Sequence, residues 1–85
     1  MRVEYTLTMT AKCPVDQSTD VYEVTVTSDR TIPVEQIRAA CRVLGDRPAY
    51  QEEITTELAK RLGATVKTVG VHSGVKTVAE ANPCG

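Results

Sequence analysis

Residues 3–28 read VEYTLTMTAKCPVDQSTDVYEVTVTS, two alternating runs on either side of a short polar break. In the first run the odd positions hold Val3, Tyr5, Leu7, Met9 and Ala11, whereas the even ones hold Glu4, Thr6, Thr8 and Thr10. A repeat of two is that of a strand with one buried face, so Val3 to Ala11 is predicted as a half-buried strand. From Val21 to Ser28 the pattern returns, with Tyr22, Val24 and Val26 set against Glu23, Thr25 and Thr27. Pro14 cannot donate to a ladder and helps end the first strand, so the two runs are expected to pair as a hairpin whose loop opens at Cys13-Pro14. That loop holds two residues a turn does not require: Cys13 at its tip, and Asp20, seven residues later, at the start of the second run.

Beyond the hairpin the period changes. Pro33 suits a first-turn position, and Val34, Ile37, Cys41 and Leu44 recur at helical spacing up to Gly45-Asp46-Arg47. A second helix is predicted from about Pro48, with Tyr50, Ile54, Leu58 and Leu62 on one face, Glu52, Glu53, Thr56 and Lys60 on the other, and Gly63 as its C-terminal cap. Two further β-rich runs follow, Thr65 to Val71 and Val75 to Ala81, joined by a tight turn at His72-Ser73-Gly74. Residues 82–85 are expected to fray. The order ββααββ predicts one α+β domain, with the helices covering one face of an antiparallel sheet. It leaves the other face and the sheet edges open, through which subunits could close into a barrel.

Composition narrows the function. The chain has 85 residues, three Tyr and neither Phe nor Trp, so its core is aliphatic and a partner subunit would supply burial. Ten Lys+Arg stand against 11 Asp+Glu, which gives no basic field; a nucleic-acid contact needs a patch gathered by oligomerisation, for example from Arg2, Lys12, Lys67 and Lys76. No leader, lipidation motif or apolar run of about 18 residues is read, so a cytoplasmic protein without a membrane partner is expected. Cys13, Cys41 and Cys84 are odd in number and form no CxxC pair, which favours reduced thiols and argues against a structural metal.

CPVDQSTD, residues 13–20, resembles the catalytic stretch of the QueF-type nitrile reductases of the tunnelling fold, which act on 7-cyano-7-deazaguanine. AYQEEI, residues 49–54, is similar to the aromatic-His-Glu segment of that family, aligning Tyr50, Gln51 and Glu52 with its substrate-binding positions; VKTVGVHSGVKTVAE, residues 66–80, is similar to its last hairpin. The resemblance implies a tunnelling-fold homo-oligomer, with Cys13 and Asp20 catalytic and Glu52 on the deazapurine. Two departures stand out. Gln51 replaces the family's histidine, and the run Glu35 to Ala40 has no lysine where the reductases carry their NADPH motif. Short relatives lacking that motif are amidinotransferases of archaeosine formation, which add ammonia to the nitrile. This branch is the one the sequence resembles more, with no cofactor; NADPH enters only if the chain is a reductase.

The residue types suit the chemistry. A thiolate adds to an electrophilic nitrile carbon if an acid protonates the nitrogen, so Cys13 would be the nucleophile and Asp20 the proton shuttle. A carboxylate such as Glu52 can accept both adjacent N–H donors of a guanine-like edge, and the start of a helix favours its ionised form. Plainer readings stand beside these: Asp20 as a turn residue, Glu52 and Glu53 as first-turn carboxylates, His72 as a turn residue without a partner, Cys41 as core. A non-catalytic oligomeric module with a purine or pterin pocket is the alternative of a different class. Whether the substrate is a free base or is carried in tRNA or DNA is left open.

Overall fold

The hairpin forms as its alternation requires. In the computed structural model, which describes residues 1–84, β1 (Val3–Lys12) and β2 (Thr19–Ser28) pair without a slip from Val3 opposite Ser28 to Lys12 opposite Thr19. Both strands run slightly further than the apolar pattern, because ladder hydrogen bonds continue past the last buried side chain. Met9 and Ala11 of β1, and Tyr22, Val24 and Val26 of β2, point into the core.

Helix α1 (Val34–Gly45) buries Ile37, Ala40, Cys41 and Leu44. Val34, expected on this apolar stripe, is exposed at the first helical position, before the helix has turned its face to the sheet. Helix α2 (Gln51–Leu62) begins later than Pro48. Tyr50 is still extended at φ −73°, ψ 152°, and its N–H donates to Glu53 Oε1 at 3.1 Å, so this cap sets the start. Tyr50 accordingly lies outside the buried face, where Gln51 and Thr55 join Ile54, Leu58, Ala59 and Leu62. At the other end Gly63 takes the left-handed conformation as expected, and the Arg30 guanidinium donates to the free carbonyls of Leu62 and Gly63 at 2.9 and 3.2 Å.

Strands β3 (Thr65–His72) and β4 (Val75–Ala81) complete a four-stranded antiparallel sheet of order β1-β2-β3-β4. Their turn is shorter than His72-Ser73-Gly74. Only Ser73 (φ 50°) and Gly74 (φ 81°) leave the strands, as a two-residue turn with positive φ at both positions demands, and His72 pairs with Val75 as the last residue of β3. The tail is anchored as far as Asn82, whose Oδ1 accepts from Thr65 Oγ1 at 2.9 Å; the rest of the expectation for 82–85 includes Gly85, which lies outside the described residues.

Both helices pack on one face of the sheet, around a core of Val24, Val26, Leu58 and Val66. The opposite face is uncovered and exposes Val21, Val71 and Val78. β1 and β4 are the free edges, and β4 has no fully buried residue. No helix among the described residues is long and apolar enough to cross a membrane.

Candidate functional site

Continuing the alternation of β1 past Ala11 brings Cys13 to the helix side of the sheet, and the register sets Asp20 opposite Ala11 on that side. Cys13 and Asp20 are therefore brought to one end of the hairpin by the ladder itself. The loop between them is tightly closed. Cys13 N–H donates to Ser18 O at 2.8 Å, Gln17 N–H donates to Cys13 O at 2.9 Å, and Asp16 Oδ1 accepts from both the N–H and the hydroxyl of Ser18. A further bond, from Ala49 N–H to Lys12 O at 3.4 Å, ties the approach to α2 against the end of β1. It brings Tyr50, Gln51 and Glu52 beside the cysteine loop.

These segments enclose a cleft of about 350 Å³, lined by Cys13, Asp16, Asp20, Tyr22, Tyr50, Gln51, Glu52, His72 and Thr77 among others. Every residue singled out in the sequence as catalytic or substrate-binding meets here. A larger groove of about 660 Å³ on the outer side of α2 shares Glu52 but holds neither Cys13 nor Asp20. Glu53 is engaged in the helix cap, whereas Glu52, one position earlier, makes no hydrogen bond among the described residues. Gln51 is different: only 2% exposed, it spends its amide on the protein. Its Nε2 donates to Thr68 O, Thr68 Oγ1 and Thr77 O at 3.2, 3.0 and 3.0 Å, so it buttresses the cleft from behind.

Three participants were not picked out by sequence. Asp16 is one, its carboxyl held below the usual range by the hydrogen bonds from Ser18 and one with the Cys13 thiol; the signal was its place inside the same polar loop. Tyr22 reads in sequence as plain core. Its ring is buried and its hydroxyl lies 3.4 Å from Asp20 Oδ2, so burial first, then the Asp20 charge, pushes its ionisation up to about 12. His72 is the third, and the expectation of a turn residue without a partner is corrected here. Its Nε2 lies 2.8 Å from Gln51 Oε1, its Nδ1 is 3.8 Å from Asp20 Oδ2, and its ring centroid is 5.8 Å from that of Tyr22.

The register explains this meeting. The β2–β3 ladder ends at Glu23 opposite Val69; continuing the same register sets Tyr22 against Gly70 one step on, and Asp20 against His72 three steps on, on the helix side. The other thiols are elsewhere: Cys41 is core, and burial pushes it up to about 11, while Cys84 is exposed near the tail. Among the described residues no group of three His, Cys, Asp or Glu is placed to hold a metal ion.

No family model matches the chain, and no curated protein matches it in sequence. Among solved structures it is similar to the archaeosine synthase QueF-Like in its apo form, with a TM-score of 0.87 and 17% identity over 96% of this chain and 93% of that one. The chain thus has the tunnelling fold of that enzyme, and the neighbour is a QueF-like protein, the kind whose catalytic stretch CPVDQSTD resembles.

The raised ionisation of Tyr22 has a measurable consequence. Because the folded chain holds this proton more tightly than the unfolded chain, whose tyrosines titrate near 10.0, the stabilisation is complete below that pH and is lost as pH rises toward 12. In an ultraviolet titration one of the three tyrosines is expected to form phenolate only near pH 12, and Tyr22→Phe should remove that late step.

Proposed function

We propose that the chain is a cytoplasmic amidinotransferase that converts the nitrile of a 7-cyano-7-deazaguanine base, carried in a nucleic acid, to an amidine through a thioimidate on Cys13. The observation that carries this reading is the cleft: Cys13, Asp20 and Glu52 line it together, and neither Lys nor Arg does. Glu52, free of the helix cap, takes the guanine-like edge as a two-toothed acceptor. Tyr50, at the rim and 54% exposed, offers its ring to the base.

The Cys13 sulfur bonds to the nitrile carbon while one carbon–nitrogen π bond opens, and the thiol proton, carried by Asp20, ends on the nitrogen. Ammonia then bonds to the same carbon and the carbon–sulfur bond breaks. The proton shed by the incoming amine returns through Asp20 to the departing sulfur, leaving the amidine and a free thiol. A cleft with Asp16, Asp20 and Glu52, and with neither Lys nor Arg among its described lining residues, suits an ammonium source and a cationic amidine better than the phosphates of a nicotinamide cofactor. On α1, where the reductases place their cofactor motif, Arg38 is exposed beside Ala39.

The assembly belongs to the same reading. The unpaired edges of β1 and β4, and the exposed valines of the helix-free face, suit a ring of identical subunits. Strand alternation puts Lys12, Lys67 and Lys76 on that face, with Glu23 and Glu80 between them, so a basic surface for a nucleic acid has to be gathered from several subunits.

Intact-mass analysis after mixing with 7-cyano-7-deazaguanine is expected to show one covalent adduct, absent in Cys13→Ala and retained in Cys41→Ala and Cys84→Ala. Ammonium should then yield amidine with no change in NADPH absorbance. Nitrile-dependent NADPH loss would identify a reductase, and three cysteines of equal sluggish reactivity a binding module. Size-exclusion chromatography with light scattering at micromolar concentration should give a mass several times 9.2 kDa, and an active monomer would refute the ring.

A further inference from the structure

The network behind the cleft determines the state of its one histidine. Thr68 O and Thr77 O are carbonyls and only accept, so the Gln51 atom facing them is the nitrogen and the atom facing His72 is Oε1. The hydroxyls close the circuit. Thr55 Oγ1 donates to Gln51 O at 2.7 Å, Thr68 Oγ1 donates to Thr55 Oγ1 at 2.7 Å, and Thr68 Oγ1 accepts from Gln51 Nε2 at 3.0 Å. No freedom is left to flip the amide, because the flip would set Oε1 against two carbonyl oxygens. His72 must then donate from Nε2–H to Gln51 Oε1, and its neutral ring has a bare Nδ1.

That bare nitrogen faces Asp20 Oδ2 at 3.8 Å, and the Tyr22 hydroxyl approaches the same oxygen at 3.4 Å. Both neighbours stand on one side of the carboxylate. Oδ1 is left without a partner among the described residues, on the carboxylate that the reaction needs as a proton carrier. The other carboxylate beside the thiol, Asp16, is taken up by Ser18 and Cys13.

We propose that His72 is a positioning residue for this site: Gln51 holds its ring as the Nε2–H form, so that a proton taken up on Nδ1 faces Asp20 Oδ2 at 3.8 Å and the ion pair so formed keeps Oδ1 turned to the cleft. The pair rests on geometry alone, and its role in the reaction rests on the reading of Cys13 and Asp20 given above. It supplies what an aspartate 15% exposed otherwise lacks, a second group that takes up the thiol proton while the nitrile waits for it. The aromatic contact with Tyr22 fixes the tilt of the ring.

The test uses the full chain and the fact that it has a single histidine. Long-range proton–nitrogen correlation spectra of the nitrogen-15-labelled protein at mildly alkaline pH should show one neutral form, protonated at Nε2, with an Nδ1 resonance that moves in Asp20→Asn. A mixture of the two neutral forms, or a neutral ring protonated at Nδ1, overturns the pair whatever the chain catalyses. His72→Phe keeps the ring against Tyr22 and removes both nitrogens; it should slow adduct formation at unchanged base affinity, by less than the roughly 10²–10⁴-fold that loss of the acid–base group itself costs. Free imidazole should restore the rate in His72→Ala. A wild-type rate in His72→Phe overturns the positioning role, while a wild-type chain that forms no adduct overturns the reaction and leaves the pair to be decided by the spectrum.

Discussion

Tyr22 can lie against β3 only because position 70 carries no side chain. A Cβ at Gly70 would stand 2.5 Å from both Cδ1 and Cε1 of the tyrosine ring and would force it off the sheet. Much of the site follows from that fit. With the ring flat on Gly70, the phenol reaches Asp20, the ring edge meets His72, and the space above is shallow enough for the N-terminus of α2 to descend onto it. Without it the same strands would still pair, and the carboxylate would lose a neighbour that helps hold its direction.

The second constraint is chemical. Gln51, Thr55 and Thr68 are buried polar side chains in a layer otherwise made of aliphatic groups, and each is costly to bury unless fully bonded. The circuit they form leaves no unpaired polar side-chain atom among the described buried residues. Its consequence is rigidity at one place: α2 is fixed to β3 and β4 at its first residue, whereas farther along it is held by shape-tolerant contacts of Ile54, Leu58 and Leu62. A helix start fixed in this way keeps Glu52 and Tyr50 at a set distance from the cysteine loop.

The strands were legible because period-two alternation is a local property. Tyr22, Val24 and Val26 face inward whatever the rest of the chain does. Cys13 and Asp20 were legible as a pair for the same reason: a hairpin brings its two ends together. The start of α2 was misread because Pro48 is a good first-turn residue, yet the cap between Glu53 and Tyr50 decides the start. His72 was not legible. Its partners lie 21 and 52 positions away, and they meet it only through the register of β2 with β3 and the direction of one amide. The sequence reading ended the strand at Val71 and put His72 in the turn; it showed neither that the residue is the last of β3 nor what faces it. Gln51 was read by its alignment and not by its burial, so its place behind the cleft wall also had to wait for the fold.

The central claim is that Asp20 moves the proton that lets Cys13 capture a nitrile. Its most direct test is the single-turnover rate of the Cys13 adduct with 7-cyano-7-deazaguanine in Asp20→Asn, compared with the native chain at equal base occupancy and with matching circular dichroism. The expected result is capture slowed by roughly 10²–10⁴-fold, the usual cost of removing a general acid–base group. Capture at the native rate would contradict the account and return Asp20 to the turn.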